Sequence, residues 1–78
     1  MGSREQNERK FVRWRQLISG GRCYELDVPG KQGWSARYLK EVDADENTVR
    51  FWQEIYDENN QLVEIHEKYP VDLGHRKV

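Results

Sequence analysis

The chain has 78 residues, of which 36% are hydrophobic and 12% aromatic, so it has room for one small domain and no second globular unit. Charged residues make up 35% of the chain, yet the net charge is only −1, which excludes the strong basic excess of a typical nucleic-acid-binding domain. Nine aromatic residues (three Trp, four Tyr and two Phe) exclude a disordered composition. We therefore expect a single folded domain.

The sequence also limits the targeting signals and disulfides that the chain can have. No apolar run reaches the length of a membrane span, and the first residues lack the apolar stretch of a secretory signal. Cys23 is the only cysteine, so an internal disulfide cannot compensate for a small core. We expect a cytoplasmic protein that does not associate with a membrane and is stabilised by packing.

The secondary structure of the N-terminal segments is the most ambiguous in the chain. Residues 1–9 are predicted to be a flexible or helical lead, in which Ser3 and Gln6 can form a capping box. Residues 10–18 fit both a helical and a strand period. Because Ser-Gly-Gly at 19–21 is good hairpin chemistry, we favour a strand there and keep the helix as the alternative.

The rest of the chain repeats a strand-and-turn pattern. Segments rich in aromatic and β-branched residues alternate in polarity and are separated by turn residues; they are 22–28, 34–43, 48–56 and 62–69. This pattern predicts a mainly β fold, a single antiparallel meander of four or five strands that forms an open twisted sheet or a small barrel. The β domain is expected to span residues 10–70, with residues 71–78 as a tail along the surface.

The turn at residues 57–60 predicts how two strands pair. Asp-Glu-Asn-Asn suits a type I turn followed by a left-handed residue at Asn60, which sets Asp57 opposite Gln61. That register places Ile55 opposite Val63, Gln53 opposite Ile65 and Val49 opposite Tyr69. It gathers the apolar residues on one predicted core face, made of Trp34, Ala36, Tyr38, Val42, Val49, Phe51, Ile55, Val63, Ile65 and Tyr69.

The same hairpin carries a local resemblance. Residues 55–63 (IYDENNQLV) resemble the YD-type hairpin of Rhs repeat proteins, which share a Tyr-Asp, a turn and a following Leu. The resemblance covers nine residues and has no second copy in the chain. It implies a hairpin at this position and no function.

The opposite face of the predicted sheet gives the main functional hypothesis. Three rows cross it, which are Arg37 with Glu54 and Glu64, Leu39 with Trp52 and His66, and Glu41 with Arg50 and Lys68. An aromatic stripe with a charged rim is typical of a protein-binding hot spot. The candidate binding residues are Arg37, Leu39, Arg50, Trp52, Tyr56 and His66. The alternative is that the sheet curls or the N-terminal segment covers this face, so that Trp52 is core.

The first functional hypothesis is thus a small non-catalytic module that binds a protein partner or a second copy of itself. A homodimer is compatible with the free edges of an open sheet. The alternative is an RNA-directed protein. It would bind RNA through basic residues 9–15 with Trp14 as a stacking platform, or cleave RNA as a metal-independent, toxin-type ribonuclease using His66 and His75.

Metal and cofactor motifs have no support in the sequence. Cys23, His66 and His75 lack the close spacing of a zinc site, and the acidic turn at 43–47 lacks the central glycine of an EF-hand loop. The chain also has no P-loop, GxGxxG or GxSxG motif. The sequence therefore predicts neither a metal site nor a cofactor.

Overall fold

The computed structural model describes residues 4–78 and contains one short helix and one sheet. The elements are α1 (Arg4–Lys10), β1 (Arg13–Gln16), β2 (Arg22–Pro29), β3 (Ser35–Val42), β4 (Thr48–Tyr56), β5 (Leu62–Tyr69) and β6 (Gly74–Lys77). Each strand pairs antiparallel with its neighbour in the order β1 to β6, so the sheet is an open meander. The predicted fold class is confirmed, with one strand more than expected and without barrel closure.

The hairpin turns follow from local side-chain chemistry. Asp43 and Asp57 each open a turn, and the Oδ1 atom of each accepts backbone N–H groups two and four residues later at 2.9–3.0 Å. Glu46 and Asn60 occupy the left-handed position, with φ of 69° and 63°. The predicted left-handed Asn60, and the pairing of Asp57 with Gln61, are confirmed.

The register between β4 and β5 differs from the prediction. Tyr56 pairs with Leu62 but Ile55 pairs with Glu64, so Val63 forms a bulge; a second bulge follows at Lys68. Between the two bulges β5 is turned over relative to the predicted register. Ile65 therefore packs against the cluster that contains Trp52, and His66 lies on the other side of the sheet. The predicted rows across β3 and β4 are correct: Arg37 with Glu54, Leu39 with Trp52 and Glu41 with Arg50.

The N-terminal lead is helical over its described part, one of the two states predicted for it, whereas the C-terminal segment is more structured than predicted. Strand β1 confirms the strand interpretation of residues 10–18, whereas α1 takes up most of the N-terminal lead. Ser3 of the predicted capping box lies outside the described residues. The predicted surface tail at 71–78 is wrong, because β6 pairs with β5 over four residues. Its polar sequence GHRK carries no apolar alternation, so the periodicity could not reveal it.

The core is divided between the two sides of the sheet. On the side that α1 covers, here called the helix face, Phe11, Tyr24 and Val42 are buried. On the opposite face, Cys23, Leu39 and Trp52 are buried. The predicted core face corresponds to the helix face, but its ends at Trp34 and Val49 are exposed.

A polar network fixes α1 to the sheet. The buried Glu46 carboxylate accepts hydrogen bonds from Asn7 Nδ2 at 3.1 Å, from Arg4 Nε at 3.3 Å and from the Tyr24 hydroxyl. Burial on its own raises the pKa of Glu46. The three hydrogen-bond donors together lower it by more than burial raises it, so the pKa lies below the usual glutamate value. At the same end, Arg22 donates to Glu8 at 2.6 Å. The network thus holds α1 against the sheet from its first residue, Arg4, to Glu8.

Candidate functional site

Five of the six predicted binding residues lie together on the opposite face. Leu39 and Trp52 are neighbours on adjacent strands, and both are buried, with 5% and 9% of their surface exposed. The sixth residue, His66, is on the helix face because of the β5 bulges. The predicted row of Leu39, Trp52 and His66 is therefore wrong, and Trp52 belongs to the core.

The polar groups around Trp52 are bonded to one another. Arg50 lies 3.9 Å above the Trp52 ring and forms a two-point ion pair with Glu67. The Trp52 indole N–H and the Tyr56 hydroxyl both donate to Glu54, at 3.1 and 2.6 Å. Burial, and then the Glu54 carboxylate, raise the pKa of Tyr56 to about 12. A partner on this face would compete with these bonds. That these residues bind a partner stays a prediction.

Arg37 is also ion-paired on this face. Its Nε donates to Asp27 at 2.8 Å, and Asp27 also pairs with Arg13. The Arg37 hydrogen bond is the largest cause of a lowered Asp27 pKa. Arg13 is thus held by carboxylates, and Trp14 has Arg22 stacked 3.6 Å from its ring centre. The N-terminal segment predicted to approach RNA therefore has part of its charge and one aromatic face already occupied.

An open cleft lies on the helix face, beside the end of α1. Its main part has a volume of about 490 Å³ and is lined by Lys10, Phe11, Lys40, Asn47, Thr48, Phe51 and Tyr69. An adjoining part of about 330 Å³ shares Lys10, Phe11 and Phe51 and adds Leu26, Tyr38 and Lys68. We call the two parts together the helix-side cleft. Volumes of this size are typical of sites for small ligands or single side chains.

The helix-side cleft is rimmed by three lysines. None of the ion pairs within residues 4–78 includes a lysine, whereas five arginines are paired. Lys68 Nζ lies 5.4 Å from the centre of the Tyr38 ring, and Lys10 Nζ lies 5.7 Å from that of Phe11. Lys40 Nζ donates to the Asn7 side chain at 2.9 Å. The cleft thus combines an aromatic floor with positive charge.

Lys40 is half-buried at one end of the helix-side cleft. Burial, and then the charge of Lys10, lower the pKa of Lys40, while Glu46 acts in the opposite direction. The Glu46 carboxylate is occupied by three other donors. An anion bound at this end of the cleft would therefore stabilise the charged form of Lys40.

Exposed apolar side chains follow the cleft residue Tyr69 in the chain. Tyr69 lines the cleft and is 46% exposed, and the loop that follows it exposes Val71 by 61% and Leu73 by 52%. Apolar residues grouped beside a cleft on a small domain are a feature of interaction surfaces. The sequence did not indicate this site, because its lysines and aromatic residues come from α1 and from several strands.

The two histidines meet on the helix face. His66 and His75 are cross-strand partners whose ring centres are 4.4 Å apart. His66 Nε2 lies 2.7 Å from the Asp72 carboxylate, and His75 Nδ1 lies 3.4 Å from Glu64. The Gly74 backbone N–H, and then His66, lower the pKa of Asp72. The sequence indicated the histidine pair but missed Asp72, which orients one ring as a carboxylate does for a general base.

Within residues 4–78 no group of three or more His, Cys, Asp and Glu side chains could hold a metal ion. The same residues contain no helix with the length and apolar character required to cross a membrane. Cys23 is buried, and burial raises the pKa of its thiol.

No family model, curated protein or solved structure matches the chain.

Proposed function

We propose that this domain is a small non-catalytic binding module that takes a segment of a protein partner into the helix-side cleft. One observation carries the proposal: an aromatic-floored cleft is rimmed by Lys10, Lys40 and Lys68, and no lysine is ion-paired within the described chain. A segment with acidic and apolar side chains complements both features.

A protein segment suits the helix-side cleft better than a nucleic acid does. Nucleic-acid binding draws most of its affinity from many phosphate contacts, and a chain with net charge −1 offers no excess of positive charge for a polyanion beyond the cleft. A short protein segment needs only local complementarity. The exposed Val71 and Leu73 beside the cleft also favour a partner with apolar side chains.

Self-association through the sheet edges is less favoured. Both edge strands are four residues long, and both carry positive charge, at Arg13 and Arg15 on β1 and at Arg76 and Lys77 on β6. Short, charged edges oppose pairing between copies of a sheet. A second copy is therefore an alternative occupant of the cleft, and a mass measurement over a concentration series detects it.

An array of synthetic peptides rich in Asp, Glu and aromatic residues tests the proposal. We expect a subset to bind the purified domain saturably, and we expect Lys68→Glu to abolish that binding. Lys31→Glu is the matched control, since Lys31 is exposed and does not line the cleft. Binding that survives Lys68→Glu but is lost in Arg37→Glu would return the site to the opposite face. No binding at all would refute the module.

The histidine pair supports a second candidate, metal-independent RNA cleavage. His66, oriented by Asp72, could act as the base, with His75 as the acid. The test is the integrity of labelled RNA incubated with the domain in the presence of a chelator. Cleavage that is lost in His75→Ala would establish this function, and intact RNA at high protein concentration would refute it.

A further inference from the structure

We propose that the end of the helix-side cleft between Lys10 and Lys40 is a phosphate subsite, so that the bound protein segment carries a phosphorylated side chain. The inference rests on the proposed function and adds the chemical class of the partner. Three features support it: the hydrogen-bond donors at this end of the cleft, the negative charge that would balance the lysines, and the aromatic residues beside them.

The donors at this end of the helix-side cleft suit a tetrahedral anion. Lys10, Lys40 and Thr48 all line the main part of the cleft, and their side chains carry two ammonium groups and one hydroxyl. Within the part of the chain that the structure describes, the Thr48 hydroxyl makes no hydrogen bond. The Asn47 amide is less available, because it donates to Asp43 at 3.3 Å. A phosphate offers three acceptor oxygens, which Lys10, Lys40 and Thr48 can each contact.

The charge at this end favours a phosphate over a carboxylate. A carboxylate carries one negative charge, whereas a phosphomonoester carries about −1.5 to −2 at neutral pH. Two lysines that lack ion-pair partners are balanced only by the larger charge. Burial, and then the charge of Lys10, lower the pKa of Lys40, and an anion bound beside its ammonium group would act against both effects.

The walls of the subsite accept the side chain that bears the phosphate. Phe51 and Tyr69 line the same part of the cleft as the two lysines, and Tyr69 is half exposed, whereas Phe11 is buried beneath them. Aromatic walls favour an aromatic ring by stacking, so phosphotyrosine fits this compartment better than phosphoserine. A nucleotide also combines an aromatic ring with a phosphate. We commit to the protein segment because the apolar loop at Val71 and Leu73 extends the surface beyond one small ligand.

Fluorescence anisotropy with matched peptides tests the subsite. One acidic and apolar peptide is synthesised with Ser, Glu, phosphoserine or phosphotyrosine at its centre, and AMP and phenyl phosphate are titrated separately. We expect the phosphotyrosine peptide to bind at least about tenfold more tightly than the Ser peptide. Lys10→Gln should remove about tenfold of that affinity, and Lys31→Gln should leave it unchanged. Thermal unfolding checks that both variants are folded.

The outcomes separate the two proposals. Equal binding of the Ser and phosphorylated peptides would overturn the phosphate subsite and leave the binding module standing. Binding of no peptide would overturn both. AMP binding in the same cleft without peptide binding would also overturn both, because the occupant would then be a nucleotide. Amide NMR shifts of Thr48 and Phe51 on titration with phenyl phosphate should locate the ligand in the cleft; shifts confined to other strands would refute the assignment.

Discussion

Replacing Trp52 by alanine tests whether the face opposite α1 is core. The Trp52 ring is 9% exposed, packs with Cys23 and Leu39, and lies under Arg50 at 3.9 Å. Truncating a buried tryptophan costs about 3–5 kcal/mol. A chain of 78 residues is stabilised by roughly 4–12 kcal/mol at the usual value per residue. The substitution should therefore remove a large share of the total stability.

Urea denaturation followed by circular dichroism measures this loss. Trp34→Ala is the matched control, because Trp34 is 38% exposed and its indole N–H donates to Glu58 at 2.6 Å. We expect that control to cost about 1 kcal/mol or less. Trp52→Phe should be intermediate, since it keeps an aromatic ring and loses the hydrogen bond to Glu54. If Trp52→Ala and Trp34→Ala lower the free energy of unfolding equally, Trp52 is not a core residue, and the opposite face is again the preferred binding surface.

Three further predictions concern the turns, the acid limit and the last strand. Asn60→Gly should keep or slightly raise the unfolding free energy, and Asn60→Val should lower it by about 1–2 kcal/mol because φ is positive there, as urea titration would show. The pKa values of Glu46 and Glu67 are lowered in the fold, so their stabilisation is present above their unfolded pKa and is lost as the pH falls through the lower folded values. Stability measured by urea should thus fall below roughly pH 4, and a flat profile there would contradict the buried network. A chain ending at Pro70 should be less stable than the full chain, because it lacks β6 and therefore leaves β5 as an unpaired edge strand. Equal stability of the two chains would show that residues 71–78 contribute nothing to the sheet.

The local parts of the fold could be predicted from the sequence. A turn is decided by a few neighbouring residues, so Asp57 and Asn60 were enough to identify the β4–β5 hairpin and its left-handed position. The pairing of β3 with β4 followed from apolar alternation and from opposite charges such as Arg37 and Glu54. These features need no information from distant parts of the chain.

The register of β5 depended on distant contacts. Val63 and Lys68 are extra residues that leave no mark in a period-two pattern, because each bulge reverses the alternation that follows it. What favours the bulged register is the burial of Ile65 against the cluster of Cys23, Leu39 and Trp52. That cluster joins strands far apart in sequence. The error placed His66 on the wrong face, in a row with Leu39 and Trp52.

The two faces also differ in how their positive charges are paired, and that difference is the basis of the proposed binding site. On the opposite face, Arg37 and Arg50 are held by carboxylates, so their charges are offset within the fold. In the helix-side cleft, Lys10 and Lys40 lack such partners although Lys40 is partly desolvated. An aspartate or glutamate in place of Thr48, which lines the same cleft, would offer these lysines an ion-pair partner within the fold. The proposed ligand would supply the same negative charge from outside, so Thr48→Glu should weaken its binding while leaving the domain folded.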